Sequence, residues 1–490
     1  MTAPNTFKKT FKIGTKTIDV SDKLNEQFNC EIHASSAEEY RQMGNDFFNA
    51  KDFRRAFISY SEGLKLDPIH ISLKFNRAAA ATELDLFGAA MYDYCALCNF
   101  PFVKEKAMIR WAKLCYHMNN YNECQRRLID IARTFGSCMQ FREIHTKYSK
   151  LAAKRIQERS TGKFDFKSMY ERAKSNMILE NSPFNRYLEV DMVGENCMGF
   201  LTCEPVDFGE LILASRAHVI ACPSDDLTAQ EILKIEYYKR AQDSYFDEIF
   251  KKMYSEWGAR EPTLDFKSCC NIVDSNSLPL GRAYPEYVGV FKNACYINHS
   301  CLPNTQYFVI GNFMFIRAAR DLVADEEITI NYIDIGLPLG QRMSLLKGQY
   351  KFICECELCQ FDVMFTTQYP RFKTIIIDHK ADNFGNLNEC LNALRQINSF
   401  PALFRRGILL FKFCNLFDDL EKTVQEMLAC FKPNGTTMLS GKYYEETLGM
   451  MLFNKKYSQI MDGYINAFYY KGYPLRDLLL NVKDQDLPTQ

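Results

Sequence analysis

From Ala37 onward, small and aromatic residues recur every 34 residues along the chain. Gly44 is followed at this spacing by Ala78 and then by Ala112. Small residues let two helices approach closely, and repeats of this length are typical of helical hairpins that stack on their neighbours. The recurrence predicts three helical hairpins at residues 37–138. The alternative is an unrelated helical bundle with chance spacing.

The period is that of tetratricopeptide repeats, and the first unit fits their consensus best. The matching residues are Tyr40, Met43, Gly44, Phe47, Ala56, Tyr60, Gly63 and Pro68. In the later units Ala56 becomes Ala90 and Cys124, and Tyr60 becomes Tyr94 and Leu128. Residues 1–36 are predicted to form an N-terminal extension.

A β-rich domain is predicted to follow a helical connector at residues 139–180, which Asn181-Ser-Pro183 ends. Residues 210–220 and 312–317 have strand character, each preceded by a glycine turn. Helical spacing places an insert at about 225–260 within a domain that extends from 181 to 353.

The C-terminal part of the chain, residues 362–490, is predicted to be an α-helical domain. Its helical segments are 387–397, 403–417, 420–431, 443–453 and 457–469. The predicted fold class is therefore α+β multidomain, with helices on both sides of a β-rich domain.

The charge balance argues against a general affinity for nucleic acid or membranes. Lys and Arg number 60, and Asp and Glu also number 60, so no net field would hold the chain on a polyanion. No apolar run has the length of a secretory signal or a membrane span. We expect a soluble protein of the cytoplasm and/or the nucleus, with no direct nucleic-acid binding and no membrane association.

Three cysteines lie close together, at Cys354, Cys356 and Cys359, whereas most of the 19 cysteines are scattered singly as expected of reduced thiols. This C-x-C-x-x-C spacing lets the thiolates converge on one metal ion. Tetrahedral zinc requires a fourth ligand, for which Cys301 is the candidate, although spacing alone does not select it. The alternative is a group of buried or incidental thiols.

Four segments resemble the motifs of SET-domain methyltransferases. Asn298-His-Ser-Cys-Leu-Pro-Asn304 resembles their NHSCxPN signature. Arg317-Ala-Ala-Arg-Asp321 and Asp325-Glu-Glu-Ile-Thr-Ile-Asn-Tyr332 resemble their RAxRDI and GEELTISY segments. Tyr350-Lys-Phe-Ile-Cys-Glu-Cys-Glu-Leu-Cys359 resembles their YxFxCxCxxC post-SET element.

The similarity is greatest to the SMYD-like subgroup, particularly to members with tetratricopeptide repeats ahead of the SET domain. It covers roughly residues 37–138 and 187–361. It implies a SET domain within 181–353, a zinc-binding post-SET element at 354–361, and a protein-lysine N-methyltransferase that acts on histone or non-histone proteins.

Two departures from the SMYD pattern are visible. Between Ala221 and Cys269 the chain contains only Cys222, so no MYND zinc finger is expected there. The usual G-x-G motif reads Cys197-Met198-Gly199, which bears on the affinity for the cofactor because these positions border the cofactor's methionine end in the family.

The resemblance implies S-adenosylmethionine as the cofactor. It places the residues Met198, Gly199, Asn298, His299 and Tyr332 beside it, and Phe352 against its adenine. Asn271 is a weaker match to a pocket asparagine and could instead cap a turn. One structural zinc ion would be bound by Cys301, Cys354, Cys356 and Cys359.

The resemblance also assigns catalysis to Tyr332, beside the reacting methyl group; the alternative is a buried strand tyrosine. Methyl transfer requires a neutral amine, whereas free lysine has a pKa of about 10.4. A narrow apolar channel near a positive sulfur lowers that pKa by desolvation and by charge repulsion. Tyr350 either lines this channel or packs against Phe352.

The repeats resemble those that bind the C-terminal peptides of heat-shock chaperones through a clamp for two carboxylates. The matching residues are Arg41, Asn45, Asn76, Lys106 and Arg110. Such basic and amide side chains can bind the last carboxylates of a Glu-Glu-Val-Asp terminus. The alternative is a solvated helix face that aids solubility.

Three functions compete at this level. The first is an active protein-lysine methyltransferase associated with chaperones. The second is a catalytically weak or inactive SET protein that serves as a chaperone-binding adaptor. The third, a zinc-stabilised transcriptional scaffold, rests on analogy alone.

Overall fold

The computed structural model describes residues 10–13, 16–19, 34–84, 86–194, 197–241, 266–280, 286–417 and 419–431. These residues fold into two compact units, the first comprising the helices before Glu158 with parts of 234–269, and the second comprising the others. A short hairpin of β1 (Thr10–Ile13) and β2 (Lys16–Asp19) precedes the helices. Within these ranges, no helix has the length and apolar character needed to span a bilayer.

Six helices form the three predicted hairpins in the first unit. They are α1 (Ala37–Asn49), α2 (Phe53–Leu66), α3 (Ile71–Glu83), α4 (Phe87–Leu97), α5 (Lys104–His117) and α6 (Tyr121–Phe135). Ser36, Asp52 and Asn120 cap α1, α2 and α6, respectively, and each side chain accepts the backbone N–H of the residue three positions later. Each cap fixes where its helix begins.

The recurring small residues lie where the paired helices touch. A Cβ added at Gly44 would overlap the ring of Tyr60 on α2. The equivalent Ala78 and Ala112 are fully buried, as is Ala56. The prediction of stacked helical hairpins is confirmed, and its reason is steric: these positions leave no room for a larger side chain.

Two more helices, α7 (Arg142–Thr161) and α8 (Phe166–Ser175), lie in the predicted connector. The buried carboxylate of Glu158 on α7 accepts hydrogen bonds from Asn181 Nδ2 at 2.9 Å and from the Ser182 N–H at 3.0 Å. Glu158 thereby fixes the point at which the helical connector gives way to strands.

A six-stranded sheet lies at the centre of the second unit. Its strands are β3 (Phe184–Asn185), β6 (Leu211–Ala221), β7 (Ser277–Pro279), β8 (Val288–Phe291), β10 (Thr305–Ile310) and β11 (Phe313–Ala318). They follow the order β10-β11-β6-β8-β7, with β3 also paired to β6. The two strands predicted from the sequence correspond to β6 and β11, each displaced by one residue.

The turn between β10 and β11 requires glycine. Gly311 has a φ of +56°, in the left-handed region, and a Cβ there would lie 2.6 Å from the carbonyl oxygen of Met177. This turn sets the register in which Ile310 pairs with Phe313. The hairpin packs Phe313 and Phe315 into the core of the second unit.

Two smaller strand pairs carry Met198, Gly199, Asn298 and His299. The strands β4 (Leu188–Gly194) and β5 (Cys197–Thr202) are antiparallel. The strands β9 (Asn298–His299) and β12 (Thr329–Ile330) are parallel.

The predicted helical insert begins as α9 (Ala229–Ala241), and α10 (Phe266–Asn276) follows; residues 242–265 lie outside the described residues.

The C-terminal part is helical as predicted. Its helices are α11 (Leu339–Leu345), α12 (Glu357–Gln368), α13 (Lys373–Asp378), α14 (Phe384–Arg395), α15 (Phe400–Lys412) and α16 (Leu420–Phe431). A π-helical turn at Leu346–Tyr350 follows α11. The predicted helices at 443–453 and 457–469 lie outside the described residues.

Candidate functional site

The parallel pairing of β9 with β12 brings Tyr332 beside His299. Asn298 pairs with Thr329 in this register, and His299 pairs with Ile330. The Tyr332 N–H then donates a hydrogen bond of 2.9 Å to His299 Nδ1. Two segments about thirty residues apart in the sequence thus meet at one point of the fold.

The side chain of Tyr332 is held on both sides. Its hydroxyl donates to the carbonyl oxygen of Ile297 at 2.7 Å. Its ring centroid lies 4.9 Å from that of Tyr350. Burial above all, and then the nearby Cys295 thiol, raises the pKa of the Tyr332 phenol. The phenol therefore stays protonated at neutral pH, and it can orient a substrate but cannot serve as a base.

His299 connects this tyrosine to the cysteine cluster. Because Nδ1 accepts from the Tyr332 N–H, the neutral ring carries its proton on Nε2. That nitrogen lies 3.2 Å from Cys301 Sγ. The His299 ring centroid is also 6.0 Å from that of Phe352. The predicted positions His299, Tyr332, Tyr350 and Phe352 are thus brought together.

Asn298 joins the altered glycine motif to the same site. Its Nδ2 donates to the carbonyl oxygen of Met198 at 3.1 Å and to Glu327 Oε1 at 2.7 Å. A Cβ at Gly199 would lie 2.7 Å from Val193 Cγ1 and 3.0 Å from Glu327 Oε1. Gly199 is therefore required for the close approach of β4, β5 and Glu327.

Glu327 is a site residue that the sequence analysis did not name. It follows Glu326, but the two carboxylates have different partners, because Glu326 binds Asn304 and Arg320. The signal that was available is the neighbouring pair of acidic residues just before β12, the short strand that precedes Tyr332.

Asn271 is not joined to this group. It lies within α10, so it does not cap a turn. Among the described residues, no hydrogen bond links its side chain to Asn298 or His299. The prediction that Asn271 contributes to the pocket stays a prediction.

The four predicted cysteines converge in the second unit. The sulfur atoms of Cys301, Cys354, Cys356 and Cys359 all lie within 4.8 Å of one another. Cys301 Sγ is 4.0 Å from Cys354 Sγ and 3.6 Å from Cys359 Sγ. Four sulfurs about 2.3 Å from a central ion would be separated by roughly 3.8 Å, so the cluster has the dimensions of a tetrahedral metal site. Folding thus selects Cys301, which spacing alone could not do.

In the first unit, two of the five predicted clamp residues are in direct contact. Asn45 Oδ1 accepts hydrogen bonds from Asn76 Nδ2 at 2.8 Å and from the Tyr60 hydroxyl at 3.0 Å. These bonds orient the Asn45 amide so that its Nδ2 protons are directed away from both partners.

The three basic residues of the clamp differ in their surroundings. The Lys106 ammonium lies 4.8 Å from the centroid of the Phe75 ring, and the side chain is exposed. Arg110 is also exposed. Arg41 is paired with Glu38 through bonds of 2.8 and 2.5 Å. A ligand carboxylate would therefore have to displace Glu38 from Arg41.

Residues 100–333 match the family model of the SET domain. The chain therefore carries a SET domain, and Asn298, His299 and Tyr332 lie within the matched region. In this region and in its repeats the chain is similar to SMYD-type methyltransferases and to a tetratricopeptide repeat protein.

Three relatives illustrate this combination. A methyltransferase of Gibberella zeae is 21% identical over 382 residues, which cover 67% of this chain and 52% of that protein. The human histone-lysine N-methyltransferase SMYD3 is 31% identical over 117 residues, or 24% of this chain and 27% of that protein. Human tetratricopeptide repeat protein 4 is 32% identical over 148 residues, or 29% of this chain and 38% of that protein. The chain thus spans about half the length of the fungal relative and less of the others.

Proposed function

We propose that this chain is a protein-lysine N-methyltransferase that uses S-adenosylmethionine. The observation that carries the proposal is the fixed position of Tyr332, which is bonded through its N–H to His299 and through its hydroxyl to Ile297 O. With its proton donated to Ile297, the phenolic oxygen retains lone pairs that can accept an N–H from a lysine amine.

The surroundings of Tyr332 favour a neutral amine. Tyr350 and Tyr332 present aromatic faces with centroids 4.9 Å apart, and both side chains are largely removed from water. A lysine ammonium that enters such a place loses hydration, which lowers its pKa. Alignment of the amine by the phenolic oxygen then supplies the proximity that displacement requires.

S-adenosylmethionine would supply an electrophilic methyl group on a sulfonium. Asn298 donates its amide N–H groups to Met198 O and to Glu327 Oε1. Its Oδ1 is therefore the atom available to accept a hydrogen bond from the cofactor's ammonium group. Phe352 would contact the adenine, as the family resemblance implies. Met198 and Gly199 would border the methionine end.

We also propose that the cysteine cluster holds one zinc ion. The sulfur separations fit the metal, and four thiolates leave no position open for a reactive water. The role is therefore structural. His299 Nε2 lies 3.2 Å from Cys301 Sγ, and His299 Nδ1 accepts the N–H of Tyr332. By fixing Cys301, the ion would therefore also stabilise the position of His299 and, through it, that of Tyr332.

The test of the enzymatic proposal compares Tyr332→Phe with Tyr187→Phe. Each substitution removes one hydroxyl from the second unit, but Tyr187 donates its hydroxyl to Glu210, away from the candidate site. With labelled cofactor and a cell extract, Tyr332→Phe is expected to lower the label incorporated into protein by about 10²-fold. Tyr187→Phe is expected to retain it.

Cofactor binding by calorimetry separates the two competing functions. We expect binding in the wild type and in Tyr332→Phe. If the wild type binds no cofactor and labels no protein, the methyltransferase proposal is rejected and the adaptor function stands in its place.

We further propose that the first unit binds the C-terminal peptide of a heat-shock chaperone. The support is the preset orientation of Asn45 by Asn76 and Tyr60, together with exposed cations at Lys106 and Arg110. An amide donor and two cations match a pair of carboxylates by charge-assisted hydrogen bonds.

This binding can be tested with a fluorescent peptide ending in Glu-Glu-Val-Asp. Lys106→Ala with Arg110→Ala is expected to weaken binding at least about 10-fold, or ~1.4 kcal/mol. Lys65→Ala with Arg133→Ala removes the same charge from positions that are 69% and 78% exposed. Equal affinities of the two double variants would mean that the peptide senses only the net charge, which contradicts the clamp.

A further inference from the structure

A buried array of three charged side chains lies against the cysteine cluster. It consists of Arg342 on α11, Asp362 on α12 and Arg405 on α15, none of which has solvent-exposed side-chain surface. Arg342 Nη2 lies 2.7 Å from Asp362 Oδ2 and 3.6 Å from Cys359 Sγ. One guanidinium nitrogen therefore contacts both a carboxylate and a cluster sulfur.

Arg405 completes the array from the other side of Asp362. Its Nε donates to Asp362 Oδ1 at 2.9 Å, and its Nη2 donates to Asp362 Oδ2 at 2.6 Å. His379 Nε2 lies 3.4 Å from Arg405 Nη1. Burial, together with the Arg405 charge, lowers the pKa of His379 to about 3, so the imidazole adds no charge at neutral pH.

The array has one positive charge in excess, because two guanidinium groups share one carboxylate. An uncompensated charge in a protein interior is strongly unfavourable. Four neutral thiols would not offset it. A divalent ion with four thiolates carries two negative charges, and it would place them directly beside Arg342.

We propose that the Arg342–Asp362–Arg405 array stabilises the metal–thiolate cluster by charge and couples retention of the metal to the packing of α15. This inference rests on the zinc site proposed above. Arg342 acts on the cluster through Cys359, whereas Arg405 acts through Asp362 without contact to a sulfur. Both are positioning residues.

Metal release provides the first test. The full-length protein is loaded with zinc, and transfer of zinc to a chromophoric chelator is followed in time. Removing a hydrogen-bonded partner of a metal ligand typically weakens metal binding by about 10- to 100-fold. We expect an increase of the release rate in this range for Arg342→Met and a smaller increase for Arg405→Met.

Arg406→Met is the matched control, because Arg406 is the next residue on α15 and its Nη2 pairs with Glu426 at 3.4 Å, away from the cluster. Release from this variant is expected to equal that of the wild type. Arg405→Lys, which keeps the positive charge, is expected to restore most of the retention. If Arg405→Met and Arg406→Met release zinc equally fast, the coupling is refuted.

Two measurements on the proteins separate this inference from simple misfolding. Cobalt-substituted Arg342→Met is expected to show a shifted thiolate-to-metal charge-transfer band, since the Cys359 sulfur has lost its cationic neighbour. An unshifted band contradicts the role of Arg342. In the wild type, removal of the metal is expected to speed amide exchange in α12 and α15 but not in α8.

The outcome also separates failure of this inference from failure of the zinc proposal. A purified wild type without bound metal after zinc loading overturns both. A stoichiometric zinc content with unchanged exchange in α15 after chelation leaves the zinc site standing and overturns only the coupling.

Discussion

Asn298 and Glu327 form a hydrogen bond of 2.7 Å between the amide Nδ2 and the carboxylate Oε1, which links the NHSC segment to the acidic pair ahead of Tyr332. The same amide nitrogen holds the carbonyl of Met198. The orientation of Asn298 therefore depends on a residue that need not touch the cofactor itself.

Glu327→Ala is expected to weaken cofactor binding. Hydrogen bonds to a charged group contribute about 1.5–3 kcal/mol, so loss of this one should raise the Kd about 10-fold or more. Calorimetric titration with S-adenosylmethionine measures the change. Glu189→Ala, which removes an exposed carboxylate from β4, serves as the control and should leave the Kd unaltered. Equal affinities of both variants would dismiss the orienting role of Glu327.

Gly199→Ala is expected to disturb β5 more than Gly194→Ala disturbs β4. A Cβ at residue 199 would lie 2.7 Å from Val193 Cγ1, whereas a Cβ at residue 194 meets Cys197 Cβ at an ordinary 3.8 Å. Overpacking of this kind typically costs about 1–3 kcal/mol. Thermal unfolding should show a clearly lower Tm for Gly199→Ala, and cofactor affinity should fall with it. A Tm as high as that of Gly194→Ala would show that the strands adjust freely.

Asp93→Asn is expected to destabilise the first unit. Asp93 has no exposed side-chain surface and accepts two hydrogen bonds of 2.8 Å from Arg77, whose side chain is 21% exposed. Removal of one charge leaves the other poorly solvated, at a cost of about 2–3 kcal/mol because Arg77 keeps some water contact. Amide exchange in α3 and α4 measures the loss. Asp130→Asn, which breaks a 3.9 Å pair whose aspartate is 51% exposed, should have almost no effect.

The stability of the second unit is expected to fall in acid because of His379. Its pKa is lowered from 6.5 to about 3 in the folded chain by burial and then by Arg405. Between these values the unfolded chain binds a proton that the folded chain does not, so stability decreases as the pH falls through this window.

His379→Asn removes this titration and retains a residue that tolerates the left-handed backbone, which has a φ of +50° there. The decrease of Tm between about pH 7 and about pH 5 should therefore be smaller in the variant than in the wild type. Parallel pH profiles of the two proteins would show that His379 does not contribute.

Local periodicity was sufficient to predict the helical hairpins, because Gly44 and Ala78 have to be small wherever paired helices touch. The sequence pattern also located β6 and β11 to within one residue, because the turns at Gly209 and Gly311 mark where each strand begins. The parallel pair of β9 with β12 was not predicted. Strands of two residues have no period, and their pairing depends on the surrounding fold.

In the candidate site, too, features set by a local sequence pattern could be predicted, whereas features that depend on the fold could not. The cysteines at 354, 356 and 359 are a local pattern, whereas Cys301 lies 53 residues before Cys354 and is selected only by folding. The array of Arg342, Asp362 and Arg405 was not anticipated for a related reason. Each of these residues reads as an ordinary charged position of a helix, and only the packing of three helices removes them from water.

The 53-residue separation of Cys301 and Cys354 has a further consequence for the unfolded chain. A metal ion held by both cysteines closes a loop of that length, which limits the conformations available after unfolding as a covalent cross-link would. The loop-entropy relation for disulfides gives a stabilisation of about 4 kcal/mol for such a loop. Unlike a disulfide, this closure withstands a reducing environment and opens when the ion is withdrawn, so part of the stability of the second unit would depend on the supply of metal.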